Sequence, residues 1–181
     1  MDPKDASRTL GEQVQTIPIS IPGWRRDWNV ASSRRYSCTH CKGIVSGQPV
    51  ALDLIEDKDA KLTATLIGVN SEHLALLDQR EDSYQRVPFH PRSIFMWNSG
   101  PMPVGRFWLY QARPETRIDT EQPPPGLFVP APYQNLVLHA AQSWGEDFKK
   151  AVEEEMIQPH WSTKEGLGFL HAPEGVDSCT C

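Results

Sequence analysis

Positive charge is in short supply. The chain carries 18 Lys and Arg against 23 Asp and Glu, a formal charge of −5. A general nucleic-acid binder neutralises phosphates with clustered cations, so this balance argues against a nucleic-acid partner. Arg25, Arg26, Arg34 and Arg35 are the local exception. Long apolar runs are missing too: none approaches the ~20 residues of a membrane-crossing helix. The opening Met1-Asp2-Pro3-Lys4-Asp5 is polar and charged and does not read as a signal peptide. Together these absences lead us to expect a cytoplasmic location and no membrane partner. Cysteine is sparse, with four residues in Cys38-Thr39-His40-Cys41 and Cys179-Thr180-Cys181. Structural disulfides are not expected in the cytosol. A four-thiolate zinc site would need the terminal pair to be held in place, and a lone Cys-x-x-Cys can instead be a redox pair. Incidental thiols are the expectation. The histidines, at 40, 73, 90, 139, 160 and 171, show no metal-ligand spacing. No metal and no cofactor are expected.

What is present suits one domain over 1–157 and a loosely ordered tail over 158–181. Sixteen prolines point to prominent loops. Ile17, Ile19 and Ile21 alternate in a strand over 14–21 that Pro22-Gly23 ends. Strands follow over 50–55 and 62–69, separated by a charged turn at Glu56-Asp57-Lys58-Asp59. Further strands span 84–89 and 105–111. The segment 113–130, with Pro123-Pro124-Pro125-Gly126, excludes a regular helix or a central strand. It reads either as a functional lid or as a surface excursion. Pro132 opens a helix whose apolar face runs through Val137, Ala140, Ala141 and Trp144. Gly145 breaks or kinks it before Phe148, Val152 and Met156. Several strands, one embedded helix and a terminal helical pair make an α+β domain.

One carboxylate is oddly placed. The helix expected over 70–82 can be capped by Asn70 or Ser71. Leu74 and Leu77 mark its buried stripe, and Glu81 falls on the same stripe, four residues beyond Leu77. Burial and the negative end of a helix both raise a carboxyl pKa. A carboxyl tuned toward neutrality can take and return a proton. The plainer alternative is that Glu81 pairs with an arginine or caps a loop.

Three blocks carry a resemblance. Gly23-Trp24-Arg25-Arg26-Asp27-Trp28-Asn29, the Leu77-Asp78-Gln79-Arg80-Glu81-Asp82-Ser83-Tyr84-Gln85-Arg86-Val87 block and Tyr133-Gln134-Asn135-Leu136-Val137-Leu138 resemble the gamma-glutamylcyclotransferase-like family in order and spacing. The resemblance implies a small mixed β-barrel flanked by helices. It implies an enzyme that converts a gamma-glutamyl amine or peptide to 5-oxoproline plus a free amine, with Glu81 as general acid/base. Tyr133 matches a family tyrosine near the pocket, where it either donates to substrate or packs on the sheet. Arg25 and Arg26 either neutralise the substrate's α-carboxylate, or hold Glu81, or brace a neighbouring acid. The family's first strand ends in a Tyr-Gly-Ser motif that cradles the glutamyl end, and no Tyr-Gly-Ser occurs here. The expectation is a chain truncated at its N-terminus, with the first strand missing or incomplete and Met1 an internal methionine. The alternative is a non-catalytic ligand- or protein-binding member of the same fold.

Overall fold

Two long antiparallel strands organise the chain. A computed structural model describes residues 9–11, 14–40, 43–90, 94–156, 161–165, 167–169 and 178–179. In it β1 (Thr16–Ala31) and β4 (Gln48–Ile67) pair from Thr16↔Ile67 to Ala31↔Val50. The expected stop at Pro22-Gly23 does not occur. Pro22 pairs with Lys61 and Trp24 with Glu56, so Gly23, at φ 82°, faces the surplus 57–60 of the opposite strand. The expected charged turn is therefore the outward excess of a bulge inside one strand. Turns and bulges select the same glycines and charges, which is why the sequence does not separate them.

Between these strands lie β2 (Tyr36–Cys38) and β3 (Ile44–Val45). Helix α1 (Ser71–Arg80) follows β4, capped by Asn70, whose side chain accepts the His73 N–H at 2.8 Å. β5 (Tyr84–Phe89) pairs with β7 (Phe107–Ala112), and β6 (Phe95–Met96) lies on the outer edge of β1. β8 (Leu127–Pro130) corrects another expectation. The proline-rich segment ends in a fully buried strand, parallel to the start of β4 and next to the edge of its sheet. Its ladder is short, with Gln48↔Leu127 and Pro49↔Phe128, so the prolines before it disrupt no pairing. Helices α2 (Ala131–Gln142) and α3 (Glu146–Glu155) flank Gly145, which caps α3 at φ 104°.

The 158–181 segment, expected loose, contributes strands in its described part. β9 (Ser162–Lys164) runs parallel to β8, β10 (Leu167–Phe169) pairs with β2, and β11 (Ser178–Cys179) pairs with β3. Cys38 is buried and disulfide-bonded, which corrects the expectation of an incidental thiol there. The sheet that aligns the C-terminal strands with Tyr36–Val45 joins segments far apart in sequence, and spacing alone cannot foresee that. Cys41, Cys181 and residues 1–8 lie outside the described residues; of the segment expected to follow a Tyr-Gly-Ser loop, residues 9–11 are described, with Leu10 buried beside Val14 and Leu77.

The fold is mixed α+β with a sheet-dominated core. Among the described residues the strands form open sheets, ordered β6-β1-β4-β8-β9, β10-β2-β3-β11 and β5-β7, and no barrel closes. Trp28, Val50, Val129, Phe148 and Val152 form the principal core between the long strands and helices α2 and α3. Phe128 centres a second cluster with Tyr36 and Leu167. Burying one such ring contributes about 1.5–3 kcal/mol. Among the described residues no helix is long and apolar enough to cross a membrane.

Candidate functional site

The last turn of α1 delivers Glu81 to a cavity of about 380 Å³. Glu81 is the residue at which the helix stops: its N–H donates to Leu77 O at 2.9 Å while its backbone leaves the helical region. Its side chain is 22% exposed, and Arg80 Nε stands 3.6 Å from Oε1. The carboxylate is thus set into the cavity wall and still reachable by solvent. Leu77 is buried as the stripe requires, whereas Leu76 is exposed.

Tyr84 and Tyr133 line the same cavity. Tyr84 donates its hydroxyl to Leu52 O at 2.7 Å, and the Tyr133 hydroxyl bonds the backbone of the same Leu52. One strand residue anchors both rings against the cavity. Burial pushes the Tyr84 phenol well above the ordinary range, and the charges of Tyr133, Glu81 and Asp53 add to the rise. Burial also raises Tyr133; the Leu52 backbone bond opposes it and the Glu81 charge reinforces it. Both groups therefore stay protonated at neutral pH; Tyr84 spends its one proton on Leu52 O and forms a rigid polar wall, and Tyr133 can act as a hydrogen-bond donor.

Arg25 and Arg26 separate because side chains alternate along a strand. Arg26 faces the cavity, 13% exposed, and meets Glu155 at 3.3 Å and the carbonyl of Thr63. Glu155 also accepts both the Thr63 N–H and the Thr63 hydroxyl. Burial lowers the Arg26 pKa, and the Glu155 charge opposes that shift. The Arg26 charge is thus largely balanced at the end of α3. Arg25 lies on the other face, where it pairs with Asp27 at 3.0 Å and Asp57 at 3.3 Å, away from the cavity. The structure therefore brings Glu81, Tyr133 and Arg26 together and leaves Arg25 outside.

Sequence reasoning passed over three groups in the same wall. Asp53, 1% exposed, accepts the Ala112 N–H at 2.7 Å and the Leu54 N–H at 2.8 Å on one oxygen, and Arg117 Nε at 3.0 Å on the other. Its one visible signal was a carboxylate set between Leu52 and Leu54 in an apolar strand. Tyr36 is buried, and burial lifts its pKa to about 12. Arg34 lies at the mouth, exposed, with no ion pair among the described residues. The charge of Arg34 lowers the pKa values of Tyr36, Tyr84 and Tyr133, against the effect of burial, which places its guanidinium on their side. Among the described residues no three His, Cys, Asp or Glu side chains gather as a metal site.

The segment expected as lid or excursion is partly tied down. Arg117 reaches Asp53, Ile118 is buried and donates its N–H to Asn29 O at 2.6 Å, and 119–126 are exposed.

No protein-family model matches the chain, and no curated protein matches it. Solved structures similar to the chain include two from Arabidopsis thaliana. The solution structure of At5g39720.1 from Arabidopsis thaliana has 16% identity, covers 88% of each chain and has a TM-score of 0.42. The solution structure of At3g28950.1 from the same plant has 18% identity, covers 85% of this chain and 77% of that one, and has a TM-score of 0.44.

Proposed function

We propose that the protein is a gamma-glutamylcyclotransferase-like enzyme that converts a gamma-glutamyl amine or peptide to 5-oxoproline and a free amine. The observation that carries this reading is the Glu81 carboxylate set into the wall of a cavity that the phenols of Tyr84 and Tyr133 also line. Glu81 takes a proton from the substrate's α-ammonium. The freed amine attacks the γ-carbonyl carbon of the same molecule and closes the ring, a step favoured because nucleophile and electrophile are already joined. The tetrahedral oxygen carries negative charge and needs fixed donors. Tyr133, protonated and lining the same cavity, is the phenol whose hydroxyl proton is left to serve as such a donor, since Tyr84 gives its own to Leu52 O. The bond from the γ-carbon to the departing nitrogen then breaks, Glu81 returns its proton to that nitrogen, and the ring nitrogen gives up its remaining extra proton to the released amine, which leaves as an ammonium. No water is consumed and no cofactor is required. Arg26 steadies the wall through Glu155 and Thr63, and the substrate's α-carboxylate meets the charge of Arg34 at the mouth. The small barrel that the family resemblance implies belongs to this reading.

Product analysis tests it. A gamma-glutamyl dipeptide incubated with the protein should yield 5-oxoproline and the free amino acid in equal amounts, with no glutamate. Free glutamate would mean hydrolysis. Tight binding of the dipeptide without any product would favour a non-catalytic binding protein.

A further inference from the structure

A second cavity, of about 270 Å³, opens beside the first. The two share the wall made by Ser32, Ser33, Arg34 and Tyr36. That wall is held in place. Ser32 N–H donates to Pro49 O at 2.9 Å, and Gln48 Nε2 donates to Ser32 O at 2.7 Å. The floor is close-packed as well. A Cβ on Gly47, which sits at φ 105°, would fall 2.3 Å from Gly126 O, so only glycine lets those two backbones meet there. Ile44, Val45 and Phe128 supply an apolar side, and Arg34 and Arg35 supply two cations. Among the described residues no carboxylate lines the cavity and neither arginine has an ion pair. Lys164 adds a third cation behind the Phe128 ring, 4.7 Å from its centroid and 3.4 Å from Ser46 O.

Resting on the cyclotransferase reading of Glu81, we infer that this second cavity seats the departing group, and that the departing group bears a carboxylate beside an apolar side chain. A substrate whose glutamyl end lies against Glu81 reaches the second cavity across the shared wall. There a carboxylate meets Arg35, whose guanidinium presents donors suited to a planar anion, while Arg34 on the shared wall stays with the glutamyl α-carboxylate. The apolar side chain rests on Ile44, Val45 and Phe128. The cavity thus selects gamma-glutamyl amino acids or peptides over gamma-glutamyl derivatives of simple amines. Arg35, which lines the second cavity and not the first, is the specificity-determining residue most cleanly separated from the chemistry.

The test compares gamma-glutamyl-phenylalanine with gamma-glutamyl-phenethylamine, which differ by that carboxylate. Both kcat/KM, read as 5-oxoproline release, and Kd, read by calorimetry in a Glu81→Gln background, are measured. The dipeptide should be favoured about tenfold, the size of one charge-assisted hydrogen bond at a solvent-facing rim. Arg35→Gln, with an unchanged circular dichroism spectrum, should bring that ratio toward one. Equal Kd values for the two compounds, or a ratio that Arg35→Gln leaves in place, overturn the assignment. Absence of 5-oxoproline from both compounds would remove the cyclotransferase reading, and the Kd ratio would still decide whether the second cavity reads a carboxylate.

Discussion

Asp53 shows how one buried side chain connects the elements around the cavity. Its two oxygens hold β4 to the end of β7 and to the segment after it, through the Ala112 N–H and Arg117. Asp53→Ala orphans the Ala112 and Leu54 N–H groups in a dry interior, and each orphaned donor costs about 1–3 kcal/mol. We therefore expect urea unfolding to show a loss of about 2–4 kcal/mol for Asp53→Ala. Asp53→Asn keeps a carbonyl acceptor and gives up the pair with Arg117, whose side chain is 40% exposed and so screened, at about 1 kcal/mol. Equal losses for the two variants would contradict the hydrogen-bonding role. At this scale Glu81 was legible in the sequence because helical spacing alone sets it on the buried stripe. Asp53, Tyr36 and Arg34 were not. Their importance comes from β4, β2 and α2 meeting in space, and no local pattern reports that meeting.

The α1 helix ends on Glu81, the acid of the proposed reaction, so its cap bears on that proposal as well as on stability. Asn70 is its N-cap, and His73 donates to it at 2.8 Å. Asn70→Ala should lower stability by about 1 kcal/mol, seen as a lower melting temperature. An unchanged melting temperature would mean that water satisfies those N–H groups just as well. Elements with strong periodicity and clear punctuation were legible: α1, the pair α2 and α3 around Gly145, and β5. The two long strands were seen only in pieces. Pro22-Gly23 and the charged run at 56–59 carry the chemistry of turns, but pairing between β1 and β4 on both sides of the bulge holds each strand continuous. Prolines likewise hid β8, a strand only four residues long whose burial comes from its neighbours and not from its own pattern.

At the scale of the whole molecule, phenol burial sets an alkaline limit. The chain has four tyrosines, and burial raises the pKa of every one, Tyr36 to about 12. A phenol whose folded pKa exceeds its unfolded value holds its proton longer when folded. Its contribution to stability is complete below the unfolded pKa of about 10 and is lost as pH rises through the folded value. Stability attributable to these rings should hold to about pH 10 and fall steadily toward pH 12, with tyrosinate absorbance appearing together with loss of structure. Tyrosinate appearing near pH 10 in a still-folded protein would contradict the burial of these rings. Those rings, the α1 terminus and the β4 wall converge on one acid, and its role in turnover is the central claim. The most direct test is 5-oxoproline release from a gamma-glutamyl dipeptide by wild type and by Glu81→Gln at matched melting temperature. The amide fills the same space and cannot carry the proton, so the rate should drop by at least about 10²-fold. A variant that folds normally and turns over like wild type would contradict the account.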